Sequence, residues 1–545
     1  MRSLKGNVWR VLSKDKSSKK DIIKILFKNR GIVSIKSRKD FINPRNPSKI
    51  SIKATGIGVS ELKKALSRVD KAIKNKEKIL IYGDYDADGI SATAILWEAI
   101  YSKYKNVIPY IPDRFADGYG INKKTLQKIL KEDSEIKLII TVDNGIVAFE
   151  AADFLYKAGV ELIISDHHEK GKKIPKAKAI VHTTKLGGAG IAWLIAREFG
   201  VSSGLDLAAL GTVADQIPLY GVNRSIVKYG LEELEDTKRL GLAALFKDSK
   251  TKFPISTFTI GYVIAPRINA MGRLAHGIDS LRLLCTKNIR QAEELSKKLS
   301  KVNHKRQEVV TTVLSHVETA ANASSGFVVV SHESYHEGVI GLAASKLVEE
   351  HYRPAIVISR GKELSKASAR SIPGVNIIEV LRKLEGLTES LGGHAMAAGF
   401  SIKNKNLEKF EEELSGLAVD FLTPGIIKKV LDIDMVLGFD ELTIKLMHTL
   451  KQFEPFGSGN FTPVFLTKGV EIVNVRTVGS SNGHLKLKLQ EKDKSFDAIG
   501  FGMGEFLDQV SIGDKIDIVY NLEENVWNGN WSMQLNVKDI NLSSS

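Results

Sequence analysis

Three short aliphatic runs, Lys78–Ile81, Glu135–Ile140 and Val160–Ile164, each run into a turn rich in acids or histidine. The turns are YGDYDADG (Tyr82–Gly89), TVDNG (Thr141–Gly145) and SDHHE (Ser165–Glu169). Runs this short, β-branched and without polar alternation are the pattern of strands buried on both faces of a parallel sheet. The segment after the first turn, ISATAILWEAIYSKY, repeats apolar residues at Ile90, Ala94, Trp97 and Tyr101, as a helix covering that sheet requires. The chain is thereby directed to an α/β fold, with the polar turns gathered at the carboxyl ends of the strands. Open α/β sheets bind their ligands there.

The chemistry of the turns narrows the ligand. Asp84, Asp86 and Asp88 alternate within one glycine-terminated turn, where three carboxylates repel one another unless a cation neutralises them. A calcium loop of the EF-hand kind would need a downstream glutamate that ISATAIL does not supply. Asp143, read alone, is turn chemistry before Asn144-Gly145. His167 and His168 follow Asp166, and two imidazoles beside a carboxylate favour a metal or phosphate site. A fourth cluster, VADQIPL (Val213–Leu219), puts Asp215 where a helix must stop before Pro218. Aspartate and histidine without cysteine suit Mn²⁺ or Mg²⁺, and the four clusters together outline a two-metal phosphoesterase site.

The 545 residues allow three or so domains, and a net charge of +16 points to a polyanionic partner, nucleic acid first. A well-solvated lysine-rich surface is the plain alternative. The single cysteine, Cys285, excludes an internal disulfide framework and fits a reducing cytoplasm. No signal peptide or membrane span is expected.

The texture of the chain divides it into a basic leader (1–75), a strand–helix alternation carrying the four clusters (76–230) and a helical region (231–325). A second α/β unit (326–425) and a run of short alternating strands (426–545) follow. Arg290–Val317 reads as one long polar helix bridging domains. Five strand-like runs after TPG (Thr423–Gly425) suggest a small barrel of the OB kind. In it, Lys486, Lys488, Phe501, Trp527 and Trp531 mix basic and aromatic residues as a strand-binding barrel does, although aromatics also fill the cores of small barrels.

The order DYDADG, VDNG, DHH, VADQIPL resembles the DHH phosphoesterases. PRINAMGR (Pro266–Arg273), NHKRQ (Asn303–Gln307), HEGVIG (His336–Gly341), SARS (Ser368–Ser371), GGHAMAAG (Gly392–Gly399) and EPFGSGN (Glu454–Asn460) make it similar to the RecJ family of single-strand-specific 5′→3′ exonucleases. The resemblance implies a parallel-sheet DHH domain joined by a long helix to a DHHA1 domain, then an OB-fold. It also implies two ions, Asp86 and Asp143 holding one and Asp88, Asp143, His167 and Asp215 the other. His168 would be a ligating or phosphate-contacting second histidine, and Asp84 lies in the region where relatives carry a histidine. Arg114, Asn269, Arg273, His336, Ser368, Arg370, Gly392, Gly393 and His394 would surround the substrate phosphates. The implied activity is removal of 5′-mononucleotides from single-stranded DNA in recombination and repair. It would be carried out by a cytoplasmic monomer working beside single-strand-binding protein and a RecQ-like helicase. A phosphodiesterase of oligoribonucleotides or cyclic dinucleotides, and a non-catalytic replication factor, are the other readings. Three departures from the family stand out: a short stretch between His182 and Gly187, Tyr335 in place of tryptophan, and Ala367 in place of glycine.

Overall fold

The computed structural model describes residues 3–13, 21–118, 120–319, 326–479, 481–527 and 530–542. The chain forms two compact units, one built from residues 34–306 and 453–461, the other from 1–33, 307–452 and 462–545.

The first unit is organised by five parallel strands: β1 (Lys78–Tyr82), β2 (Val107–Tyr110), β3 (Ile136–Val142), β4 (Glu161–Asp166) and β5 (Ala179–His182), in the order β2-β1-β3-β4-β5. Because side chains alternate along a strand, Ile79 and Ile81 enter one core, while Leu80 and Tyr82 enter a second core on the opposite face. The first core is shared with α1 (Ala87–Lys103), α2 (Gly188–Glu198) and α3 (Leu205–Ala214). Burial on both faces explains why the strands read as unbroken aliphatic runs. Ile90 and Ala94 of α1 are fully buried, whereas Tyr101 is partly exposed and stacks on Trp97 with ring centroids 4.8 Å apart.

Helices α1 and α3 are pinned at the ends away from the acidic turns. Arg239 donates to Asp206 of α3 at 2.8 Å and pairs with both oxygens of Glu98 of α1 at 2.8 and 2.9 Å. The segment 453–461, far along the chain, belongs to this unit. Buried Arg224 donates to the carbonyls of Phe41 at 2.7 Å, Glu454 at 2.6 Å and Pro455 at 3.2 Å, and Leu219 N–H donates to Ser458 O at 2.8 Å.

The long polar helix is a single element, α6 (Ile289–Thr319), preceded in the same unit by α4 (Gly221–Glu235) and α5 (Ala265–Leu274). The division between the units falls within α6.

The second unit contains a mixed sheet and a barrel. Strands β6 (Val328–His332), β7 (Ala355–Ser359), β8 (Leu364–Arg370), β9 (Thr388–His394) and β10 (Ala397–Lys403) lie in the order β9-β10-β8-β7-β6, and helix α7 (Ile340–His351) packs on this sheet. The barrel closes five strands: β11 (Phe465–Val478), β12 (His484–Glu491), β13 (Lys494–Gly500), β14 (Lys515–Trp527) and β15 (Asn530–Leu542). Pairing of β11 with β14 completes the ring.

Residues 1–75 differ from the single leader expected. Strand Val8–Val11 pairs in parallel with Val430–Ile433, so the described part of 1–33 joins the barrel's unit. Residues 34–75 join the parallel sheet's unit, where Leu62, Ala65 and Val69 enter its core. Partners more than four hundred residues apart leave no local pattern, which is why the split escapes a reading of the sequence.

Candidate metal centre and phosphate sites

Each acidic turn caps a strand or helix of the parallel sheet. Asp86 is the N-cap of α1 and accepts from the N–H groups of Asp88 and Gly89, both at 3.0 Å. Asp84 accepts from Tyr85 N–H at 2.7 Å. Asp88 sits in the first turn of α1, where its carboxylate receives Gly188 N–H at 2.7 Å and Ala189 N–H at 2.9 Å from the start of α2. Asp143 follows β3 with a left-handed φ of 63°, and Asn144 holds that turn by donating to Gly83 O at 3.0 Å and Val142 O at 2.9 Å.

Asp166 at the end of β4 orients the histidines. Its Oδ1 accepts from His167 N–H at 2.7 Å and meets Nδ1 of His168 at 2.8 Å, while Oδ2 accepts from Ile146 N–H at 2.9 Å. A carboxylate behind a metal-bound imidazole fixes its ring in the same way. Nε2 of His167 lies 3.1 Å from Asp143 Oδ1 and 3.6 Å from Asp215 Oδ2. The 3.1 Å approach lacks hydrogen-bond geometry, and Asp143 Oδ1 is buried without a partner.

Donor atoms within 4.8 Å of one another form three overlapping groups: Asp84, Asp86 and Asp143; Asp143, His167 and His168; and Asp88, His167 and Asp215. Burial, reinforced by neighbouring carboxylates, raises Asp88 and Asp143 well above the usual carboxylate range; the same causes bring Asp84 up to about 8 and Asp215 to about 7. Burial also lowers His167 to about 4, keeping its imidazole neutral and able to ligate. His168 is raised by its bond to Asp166. Crowded, desolvated carboxylates and an orphaned buried oxygen are what divalent cations resolve, so the donor set fits the ions. Asp143 and His167 are each common to two groups, and of the two the carboxylate, with two oxygens, is the one able to bridge.

Glycines give the carboxylates room. A Cβ on Gly188 would meet the Asp143 carboxylate at 2.5 Å, and one on Gly211 would collide with Asp88 Oδ1. These glycines, the Gly188 and Ala189 N–H groups and the orienting role of Asp166 are what the sequence reading missed. The GGAG run (Gly187–Gly190) was the available signal. The short stretch after His182 delivers this run, steadied by Asn223 donating to Lys185 O at 2.8 Å.

The expected phosphate contacts fall into two sets. Beside the metal centre, Asn269 Oδ1 accepts from Ala87 N–H at 2.7 Å and so braces the first turn. Arg114 lies over the Tyr85 ring at 5.3 Å. Burial, then the nearby charge of Arg114, lowers Arg273 to about 10 against the pull of Asp86. In the other unit, Arg370 donates to Ser368 Oγ at 3.1 Å, and both side chains crowd Gly341 in the first turn of α7. His394 pairs with Ala397, which pairs with Arg370, so His394 and Arg370 share one row of the sheet. Gly393 precedes His394 with a φ of 147°, and Gly392 is opposite Gly399. His336 accepts Gly338 N–H at 3.0 Å. Tyr335 is buried with its hydroxyl 3.1 Å from His316, and Ala367 is buried in β8.

On the barrel, Lys486 and Lys488 alternate with buried Leu485, Leu487 and Leu489. Phe501 is 52% and Trp531 42% exposed, so neither fills the core. The Trp527 side chain lies outside the described residues.

The parallel sheet and the donors gathered at the carboxyl ends of its strands are those of the DHH class of metal-dependent phosphoesterases. The DHH family N-terminal domain matches residues 78–212, the DHHA1 domain 324–420 and the RecJ OB domain 433–539. The chain is 36% identical over 501 residues to the single-stranded-DNA-specific exonuclease RecJ of Bacillus subtilis (strain 168), covering 88% of this chain but 63% of that protein. It is 31% identical over 493 residues to RecJ of Thermus thermophilus, covering 88% of this chain and 71% of that protein. The crystal structure of Thermus thermophilus RecJ in complex with Mn²⁺ superposes with a TM-score of 0.84 at 27% identity, covering 98% of this chain and 80% of that one. The same protein has been solved with Mg²⁺. The chain belongs to the RecJ family of exonucleases.

Proposed function

We propose that this chain removes 5′-mononucleotides from single-stranded DNA, working 5′→3′ by hydrolysis that depends on two Mn²⁺ or Mg²⁺ ions. The observation that carries the reading is the set of overlapping donor groups around Asp143, whose buried Oδ1 has no hydrogen-bond partner. Ions bound there would supply an activated hydroxide and neutralise charge on the scissile phosphate.

The chain's own residues do the positioning. Asp86 and Asp143 would hold one ion, Asp88, Asp143, His167 and Asp215 the other, with Asp84 closing the first group. His168, fixed through Nδ1 by Asp166, would offer Nε2 to an ion or a phosphate oxygen. Arg114 and Arg273 put positive charge beside Asp86, where a backbone phosphate would lie. Ser368 and Arg370 against the start of α7, with His394 in the same row and His336, Gly392 and Gly393 nearby in sequence, are suited to a terminal phosphate. Lys488 and the exposed aromatics of the barrel would add further contacts to the strand.

In this reading residues 76–230 are the catalytic domain, 326–425 the domain for the strand's end and 426–545 the barrel. The setting is cytoplasmic recombination and repair, as a monomer alongside single-strand-binding protein and a RecQ-like helicase. Among the described residues no helix is long and apolar enough to cross a membrane. The deciding experiment digests 5′- and 3′-labelled single- and double-stranded DNA and RNA with Mn²⁺. Release of 5′-label as mononucleotide from single-stranded DNA is expected; release first from 3′ ends, or from short RNA alone, would refute the proposal.

A further inference from the structure

The helix that brings Asn269 and Arg273 to the metal centre begins well before those residues. Residues 257–274 are continuously helical, with a π-helical stretch at Thr259–Ile264 leading into α5. Such stretches are uncommon and concentrate at functional sites. One side is core: Ile260, Ile264, Ile268 and Met271 are buried. The other side runs Phe258, Tyr262, Pro266, Asn269, Arg273, none of them fully buried. At its outer end Phe258 is 64% and Tyr262 74% exposed. Their rings stack on each other, with centroids 4.7 Å apart and planes 22° from parallel.

Two aligned, exposed aromatic rings invite a planar partner, and the surroundings say which. From Pro254 to Ile278 the chain contains Arg267 and Arg273 and no aspartate or glutamate. Arg306 of α6 lies within electrostatic reach of Arg267 and Arg273, and its Nε is buried without a hydrogen-bond partner. Burial lowers all three guanidiniums, and repulsion from a neighbouring guanidinium adds to this at Arg273 and Arg306, while Asp248 pulls the other way at Arg267. At 1.5 Å per residue, Asn269 is about 10 Å and Arg273 about 16 Å beyond Tyr262 along the helix. Flat faces outside, then cations, then the metal centre match an extended strand of bases and phosphates.

We propose that Phe258 and Tyr262 form a stacking platform for bases of single-stranded DNA a few nucleotides from the scissile bond, with Asn269 and Arg273 farther along the same helix face meeting the phosphates that follow. This rests on the single-stranded DNA reading above and names the residues that would receive the strand.

The test uses the full chain in EDTA with 5′-phosphorylated oligothymidylates carrying one abasic spacer, or one 2-aminopurine, at successive positions. The wild type should show a window of one or two positions where the spacer weakens binding about tenfold and 2-aminopurine is quenched. The Phe258→Ala/Tyr262→Ala double variant should bind spacer and intact strands equally within that window and lose the quench there. Phe258→Trp and Tyr262→Phe should retain both. A double variant that binds every strand more weakly but keeps the window, or a wild type without any window, would overturn the platform. A wild type that binds no single-stranded DNA would instead overturn the parent reading, and this one with it.

Discussion

At the scale of single residues, the centre is held by groups whose roles differ in visibility. Asp143 adopts a left-handed conformation that aspartate tolerates better than most residues, and it is shared by two donor groups. Asp143→Ala should leave the far-ultraviolet circular dichroism unchanged while lowering turnover by several orders of magnitude, since on the proposed reading one residue would serve both ions. Gly188→Ala tests the space around it. The added methyl must displace the Asp143 carboxylate, so Mn²⁺ titration by calorimetry should show affinity reduced more than about tenfold, although alanine itself suits a helix. The pH dependence follows from the raised carboxylates. In the metal-free protein Asp215 and Asp84 are raised to about 7 and about 8, against about 3.9 unfolded. The folded state therefore binds more protons between about pH 4 and pH 8, and metal-free stability falls as pH rises through that window. Ions displace those protons, so the gain in Tm on adding Mn²⁺ should be larger at about pH 8 than at about pH 6. The clustered donors were legible because aspartates crowd into turns after aliphatic runs. Gly188 was not, because its meaning comes from Asp143, far earlier in the chain, and a glycine-rich turn alone has many uses.

At the scale of elements, the parallel strands could be read directly, since burial on both faces imposes unbroken aliphatic sequence. The pin between α1 and α3 could not. Asp88 lies at one end of α1 and Glu98 farther along it, whereas Asp206 opens α3 and Asp215 follows its last residue. Arg239 joins Glu98 to Asp206 and so fixes the two helices that carry Asp88 and Asp215. Its partners stand 141 and 33 residues away, a spacing with no periodic trace. Removing one member of a buried ionic triad strands the other charges. Arg239→Met should therefore cost about 3–5 kcal/mol in chemical denaturation. Restoring much of it by adding Glu98→Gln and Asp206→Asn would show that the unpaired carboxylates, not lost packing, caused the loss.

At the scale of the whole molecule, the sequence conveyed the kinds of domain and their order but not how the chain is shared among them. The five barrel strands announced themselves by alternation, as at Leu485, Leu487 and Leu489 against Lys486 and Lys488. Segment 453–461 sits amid the barrel's sequence yet packs with the parallel sheet, and its EPFGSGN motif discloses kinship rather than location. Deleting 426–545 therefore removes more than a binding module. Arg224 would lose the acceptors Glu454 and Pro455, and Asn460, which donates to Phe453 O and Pro455 O, would go as well. The truncated chain should melt well below the intact protein and lose hydrolysis of short oligonucleotides along with strand binding. If it keeps a native melting transition, the segment is dispensable.

The same segment sets a schedule for synthesis. The sheet, the acidic turns and the helices that frame them are all made by residue 306, but the loop that satisfies Arg224 follows only at residues 453–461. At about 5–20 residues per second, that gap of roughly 150 residues is a delay on the order of ten to thirty seconds. A nascent chain thus carries every proposed metal ligand before the unit built on the parallel sheet can close. On the proposed reading, a nuclease for single strands acquires its finished active unit only after the second unit's sheet has been made.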